Sequence, residues 1–239
     1  MEMSYSVLRL ITLIAVVSFA GVFQGLAAAQ NATAPAQIVE KIVQAYGGRG
    51  ALDRVKVVKH TGTIQSYRLG KTGSLERLFV LPGRLRVDLN YPDGPREQRI
   101  TTPEGAWRDG KPATAAMHMA MELQAARFRL PLLLTETTVK VLGEEEGVLR
   151  LGVGLTQSTS LEVFVDPQSW RIVRSVGHMA FGSMNMNFTA DYSDFHPVDG
   201  VLFAHREELT AMGRPTGIAV LERIELNSKT TSEDFNPSP

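Results

Sequence analysis

Cysteine is absent from all 239 residues, so the chain has no disulfide, no thiolate nucleophile and no thiol to carry a lipid anchor. A charge excess is missing as well. Lys plus Arg number 25, Asp plus Glu also 25, and a balanced chain lacks the basic footprint that nucleic-acid binding requires. The familiar hydrolase signatures are missing too: there is no G-x-S-x-G elbow and no H-E-x-x-H zinc motif. A chain this long without cross-links must be held by its core, and a hydrophobic share of 44% allows that.

Long apolar runs are rare, with one exception at the start. Met1–Arg9 is short and carries one Arg, Leu10–Phe23 is apolar apart from Thr12, Ser18 and Gly21, and Ala27-Ala28-Ala29 precedes Gln30. A positive end, an apolar core and a small-residue exit are the order of a cleaved secretory signal peptide, expected over residues 1–29. The apolar core of about 14 residues is shorter than the ~20 a spanning helix needs. The expected mature chain, residues 30–239, is therefore an exported, periplasmic protein without a transmembrane segment. Asn31-Ala32-Thr33 has the form of a glycosylation acceptor but is read as chance beside the cleavage site.

Past this leader, hydrophobic spacing divides the chain. Ile38, Val39, Ile42, Val43 and Tyr46 recur at helical spacing over Ala36–Tyr46. Gly47-Gly48 ends that helix, and no Lys-Ser/Thr pair follows to make a phosphate loop. From Val57 the period becomes two. Leu85, Val87, Leu89 and Tyr91 alternate with Arg84, Arg86, Asp88 and Asn90; Leu161, Val163 and Val165 alternate likewise, as do Met184, Met186 and Phe188. Turn signals such as Pro82-Gly83, Asp109-Gly110, Asp166-Pro167 and Asp199-Gly200 separate these runs, giving about ten antiparallel strands at hairpin spacing. One stretch interrupts them. Ala113–Leu134 is rich in Ala, Met and Leu, a helix that Pro131 should kink or end. An apolar helix amid strands needs cover, and the concave face of a curved sheet supplies it.

Few side chains offer chemistry. His118 and Glu122 share a helix face, but two ligands do not make a zinc site. Asp191, Asp194, His196, Asp199 and His205 form the densest polar cluster; a metal-dependent enzyme is one reading, and a hairpin connection favouring Asp and Pro is the other. Glu144-Glu145-Glu146 reads as a solvated hairpin tip, and Trp107 as a core-edge aromatic or a stacking platform. Seven of the nine methionines, Met117, Met119, Met121, Met179, Met184, Met186 and Met212, invite a choice between ordinary core filling and a wall that adapts to variable apolar shapes.

The order of these features resembles a known family. A helix closes in "AYGG-x-x-AL" (Ala45–Leu52), then come "TGT" (Thr61–Thr63), Pro82 before the arginine-alternating strand Arg84–Asp88, Asp109-Gly110, and "LPLLL" (Leu130–Leu134). "VDPQSWRIVR" (Val165–Arg174), "DYSDFHPVDGVLFAH" (Asp191–His205) and "IELN" (Ile224–Asn227) follow. Together they resemble the outer-membrane lipoprotein-sorting (LolA/LolB-like) superfamily. The resemblance implies one mainly β domain with helices (α+β) over residues 30–239, a curved antiparallel half-barrel of about eleven strands enclosing a lid of helices. It implies a non-catalytic carrier without cofactor or metal, whose partner is a lipid or an acylated protein and whose apolar cavity shields acyl chains. The cavity residues expected here are Leu85, Val87, Leu89, Met117, Met121, Met184, Met186 and Phe188. Arg84 and Arg86 lie in the region where the family carries a cargo-retaining basic residue. The alternative use of the same fold is an envelope sensor or scaffold with protein partners.

Overall fold

The computed structural model of the chain describes residues 34–237, so the expected signal peptide lies outside the described residues. Helix α1 (Pro35–Ala45) forms where the helical stripe predicts it, and its Ile38, Val39, Ile42 and Val43 are all buried. Gly47 and Gly48 follow at φ 108° and 81°, and the Gly48 amide donates back to the Val43 carbonyl at 2.9 Å. This bond closes the last turn in the way that glycine permits. Gly47 has a second reason to lack a side chain: a Cβ there would lie 2.0 Å from the Gly200 carbonyl oxygen. A single turn, α2 (Arg49–Leu52), leads into the sheet.

The strands are β1 (Val57–Ser66), β2 (Lys71–Val80), β3 (Arg84–Asn90), β4 (Arg96–Thr102), β5 (Gly105–Arg108) and β6 (Lys111–Pro112), then after two helices β7 (Val139–Glu145), β8 (Val148–Gly154), β9 (Thr159–Val165), β10 (Ile172–Phe181), β11 (Met184–Val198), β12 (Val201–Ala211) and β13 (Arg214–Leu226). They form one antiparallel sheet of 13 strands in the order β6-β5-β4-β3-β2-β1-β13-β12-β11-β10-β9-β8-β7. The count exceeds the expected eleven partly because β5 and β6 are only four and two residues long, too short to show alternation. The expected turns at Asp109-Gly110 and Asp199-Gly200 form with both residues of each pair at positive φ, the backbone of two-residue primed hairpins.

The topology places the helices. Each half of the chain meanders, and the first long strand pairs with the last (Val58↔Leu226 to Ser66↔Gly217). The sheet edges are therefore β6 and β7, which flank the helical segment in sequence. That segment, α3 (Ala115–Phe128) and α4 (Leu132–Glu136), must cross from one edge to the other, over the inner face. Register shifts at Thr61/Gly62, Ile172/Arg174 and Leu209/Thr210 mark bulges, which bend a sheet and raise its twist. The result is a half-barrel with a helical lid.

Helix α3 starts where the Thr114 hydroxyl accepts from the Met117 amide at 3.4 Å and stops three residues before Pro131, after which α4 begins. The sequence expectation of one helix ended or kinked by this proline resolves as two helices. An ion pair between Arg129, which caps α3, and Glu136, the last residue of α4, spans the break, and Arg49 donates to the Thr135 hydroxyl at 2.9 Å, tying α4 to the N-terminal helices. Among the described residues, no helix is long and apolar enough to cross a membrane.

Candidate functional site

Helix α3 spreads its Met, Ala and Leu around the axis, broken by His118, Glu122, Gln124 and Arg127, so it buries residues against the sheet without presenting one stripe. Leu123 anchors it. Gly177 of β10 is bare beneath, and a Cβ there would come within 2.2 Å of the Leu123 Cδ2 atom. On the other arm of the sheet, Arg99 of β4 donates to the Gln124 amide oxygen at 3.2 Å. The helix thus rests on both arms and leaves a chamber of about 540 Å³ between itself and the sheet. That volume is inside the ~300–1,000 Å³ range of small-molecule sites.

Six of the eight cavity residues expected from the sequence line this chamber: Val87, Leu89, Met117, Met121, Met186 and Phe188. The other two sit elsewhere. Leu85 is buried in the core below the chamber wall, opposite Phe79 and Thr101. Met184, at the tip of the β10–β11 hairpin, is 55% exposed. Alternation places Met184 on the same face as Met186 and Phe188, but the chamber ends before the hairpin does. Met179 joins the lining from β10.

A polar row crosses the same inner face. Register sets Arg99 opposite Val87, Val87 opposite Arg77, and Arg77 opposite His60; across the sheet, Glu207 faces Tyr192. The Arg77 Nη1 donates to Glu207 Oε1 at 2.8 Å with both side chains nearly sealed from solvent. Tyr192 and Ser175 hydroxyls meet at 2.8 Å. Burial pushes the Glu207 carboxyl up, but the Arg77 charge and hydrogen bond, with His60 and Arg127 nearby, outweigh it and hold Glu207 below the usual carboxylate range. His60 is pushed down to about 3, first by burial and then by the Arg77 charge. Its ring lies between Phe128 and Phe203 at 5.8 and 6.2 Å, and neither ring nitrogen has a hydrogen-bond partner. Burial raises the Tyr192 and Tyr46 hydroxyls and lowers Arg99. A second, smaller cavity of about 110 Å³ shares Arg127, Phe128, Tyr192 and Glu207 with the chamber.

These interior charges are what sequence reasoning missed. The arginines it singled out point the other way: Arg84 reaches Glu104 at 3.7 Å and Arg86 pairs with Asp88 at 2.6 Å, both at least 30% exposed. The signal available was parity. Arg77 shares its face with Gly73, Leu75 and Phe79, all buried, so its guanidinium had to point inward.

The Asp191–His205 cluster converges only in part: the His196 and His205 rings meet edge-on at 5.2 Å, and Asp191 and Asp199 are engaged elsewhere. Asp191 pairs with Arg174, His196 with Asp194 at 2.7 Å, and His205 Nδ1 lies 2.7 Å from the Leu221 carbonyl; Asp199 shapes the hairpin turn. His118 and Glu122 meet at 3.5 Å on a half-exposed helix edge. Among the described residues, no group of three or more His, Asp or Glu is placed to hold a metal ion. Trp107 pairs across from Ile100 and Pro112 in the short strands and shields Gly105. Glu144 to Glu146 are exposed at the β7–β8 tip, as expected of a solvated turn.

Comparison with solved structures places this architecture. A LolA superfamily protein from Nitrosomonas europaea superposes with a TM-score of 0.51, covering 85% of this chain and 98% of its own at 10% identity. The fold is that of the LolA superfamily. Other matches are an outer membrane lipoprotein-sorting protein domain from Vibrio parahaemolyticus (12% identity, 84% and 95% coverage, TM-score 0.48) and a DUF1329 family protein from Desulfovibrio piger (12%, 84% and 96%, TM-score 0.48). No family model matches the sequence, and no curated protein matches it. Within this LolA-like fold, the chamber under α3 is the feature that a binding role would use.

Proposed function

We propose that this protein is an exported, non-catalytic carrier that holds the acyl chain of a lipid or an acylated protein in the chamber beneath α3, in the periplasm. The observation that carries the reading is the chamber itself: about 540 Å³ walled mainly by Val87, Leu89, Met117, Met121, Met186 and Phe188, beneath the Met- and Ala-rich helix α3. Methionines fill irregular apolar space without demanding one shape, which suits a site that accepts chains rather than one rigid ligand. Each methylene buried contributes ~0.8 kcal/mol, so one chain supplies useful affinity with no further motif. In this mechanism α3 shifts from the sheet to admit the chain and settles back over it.

The test is mass spectrometry on organic extracts of the protein, expressed as the full chain in a bacterium and recovered from the periplasmic fraction without detergent. A stoichiometric, reproducible lipid is the expected result. A ligand-free monomer that also fails to bind added fatty acids would overturn it. Two exposed methionines favour a second reading: Met184 and Met212 occupy hairpin tips at the same end of the sheet, where a sensor or scaffold would meet a protein. A pull-down from envelope extract, with and without prior lipid removal, separates the two.

A further inference from the structure

The chamber is more positive than its apolar walls suggest. Its lining includes three arginines, Arg77, Arg99 and Arg127, and one carboxylate, Glu207. Two of the arginines have partners: Arg77 holds Glu207 at 2.8 Å, and Arg99 lies 3.2 Å from Glu97 and also donates to Gln124. Arg127 is different. Among the described residues its guanidinium forms no ion pair and no hydrogen bond, and its Nη1 atom is buried. It is near enough to Glu207 and Tyr192 to bias both, yet Glu207 is already committed to Arg77. A guanidinium facing an apolar cavity without an anion is costly. Its place in the last turn of α3, beside the helix's carbonyl end, offsets part of that cost but supplies no partner for Nη1.

Resting on the carrier reading above, we propose that the ligand is an anionic amphiphile: one long hydrocarbon chain with a negatively charged head, the head bound by Arg127 and the chain laid along Val87, Leu89, Met117, Met121, Met186 and Phe188. The geometry fits a single chain. At ~30 Å³ per water-sized group, the chamber holds on the order of eighteen such groups. Arg127 also stands where the chamber meets the smaller cavity, so the head sits at the junction of the two and the tail has the larger space. Because Arg127 belongs to α3, the head's charge ties the lid down over its own cargo. A planar fork is suited to a carboxylate or a phosphate alike. The recognised chemistry is the anion.

The test uses full-chain protein, delipidated, with two fluorescent probes that share a tail: cis-parinaric acid and its methyl ester. The acid is expected to bind at least about tenfold tighter than the ester, the size of one charge-assisted hydrogen bond. Arg127→Gln should bring acid and ester to the same affinity, and Arg127→Lys should restore part of the preference. Competition with sodium palmitate and with lysophosphatidic acid identifies the head. Displacement by the first alone names a carboxylate, by the second alone a phosphate, and by both the shared anion. Equal binding of acid and ester to the unaltered protein overturns the anionic head while leaving the carrier reading standing, and this arm needs no variant to fold. Persistence of the preference in a folded Arg127→Gln protein overturns the role of Arg127. Failure to bind either probe removes the carrier reading itself.

Discussion

Helix α1 puts Ile38, Val39, Ile42 and Val43 on one stripe and buries all four, Ile42 and Val43 completely. Helix α3 covers the same sheet mostly with Met, Ala and Leu, gathered in no single stripe, and a chamber of about 540 Å³ remains beside it. The two regions use different apolar alphabets. Around α1 the residues are β-branched and stiff, with few rotamers and well-defined packing; around α3 four methionines, Met117, Met121, Met179 and Met186, bring unbranched, adaptable side chains to the wall. One region is packed solid and the other leaves open space.

That contrast can be broken at four places, in falling order of effect. Glu207→Ala strands the buried Arg77 charge and should cost ~3–5 kcal/mol of unfolding free energy, read by urea denaturation. Ile42→Ala opens a hole in the packed region and should cost ~2–5 kcal/mol on the same assay; a cost under ~1 kcal/mol would mean that α1 is not the fixed element. The third place is His60. Its folded pKa of about 3 lies below the ordinary 6.5, so between those values the unfolded chain takes up a proton that the folded one refuses. Stability is thus fully present above pH 6.5 and falls as the pH drops toward 3, by up to ~1.4 kcal/mol per unit from this group. Denaturation at pH 7, 6 and 5 should show that slope, and His60→Leu should flatten it over a range where Glu207 stays ionised. Smallest is Met117→Ala on the chamber wall. It should change stability by less than ~1 kcal/mol while weakening cis-parinaric acid about severalfold through lost methylene contacts. A large stability loss there would erase the distinction between the two regions.

Much of this was readable in the sequence. Alternation located β3, β9 and β11 and put Val87, Leu89, Met186 and Phe188 on the inner face, and Pro131 marked the break between α3 and α4. Hairpin spacing implied a meander. What alternation cannot reveal is where a face stops being cavity. Leu85 and Met184 obey the same parity as their neighbours, but one lies in solid core and the other beyond the rim, a distinction set by the span of α3 above them. Nor did local pattern reveal which partners the polar row joins. Arg77 and Glu207 are 130 positions apart, and each alone reads as a strand arginine or glutamate that points to water. Only the pairing of β1 with β13 brings their strands to the same part of the sheet. Parity held the clue for Arg77, because the residues flanking it two positions away are all apolar, and a charge on that face needs a buried partner.

The route of the helical segment has a mechanical meaning. Between β6 and α3 only Ala113 and Thr114 intervene, and between α4 and β7 only Thr137 and Thr138. Fully extended, a tether of two residues spans at most ~7 Å, and both tethers are sewn to outermost strands. The cover therefore has almost no slack. It is a strap buckled at both ends, and on the proposed carrier reading a guest would enter only if the two margins of the sheet spread apart or the strap rocked about the Arg129–Pro131 break. Cargo exchange would then be timed by flexing of the sheet margins.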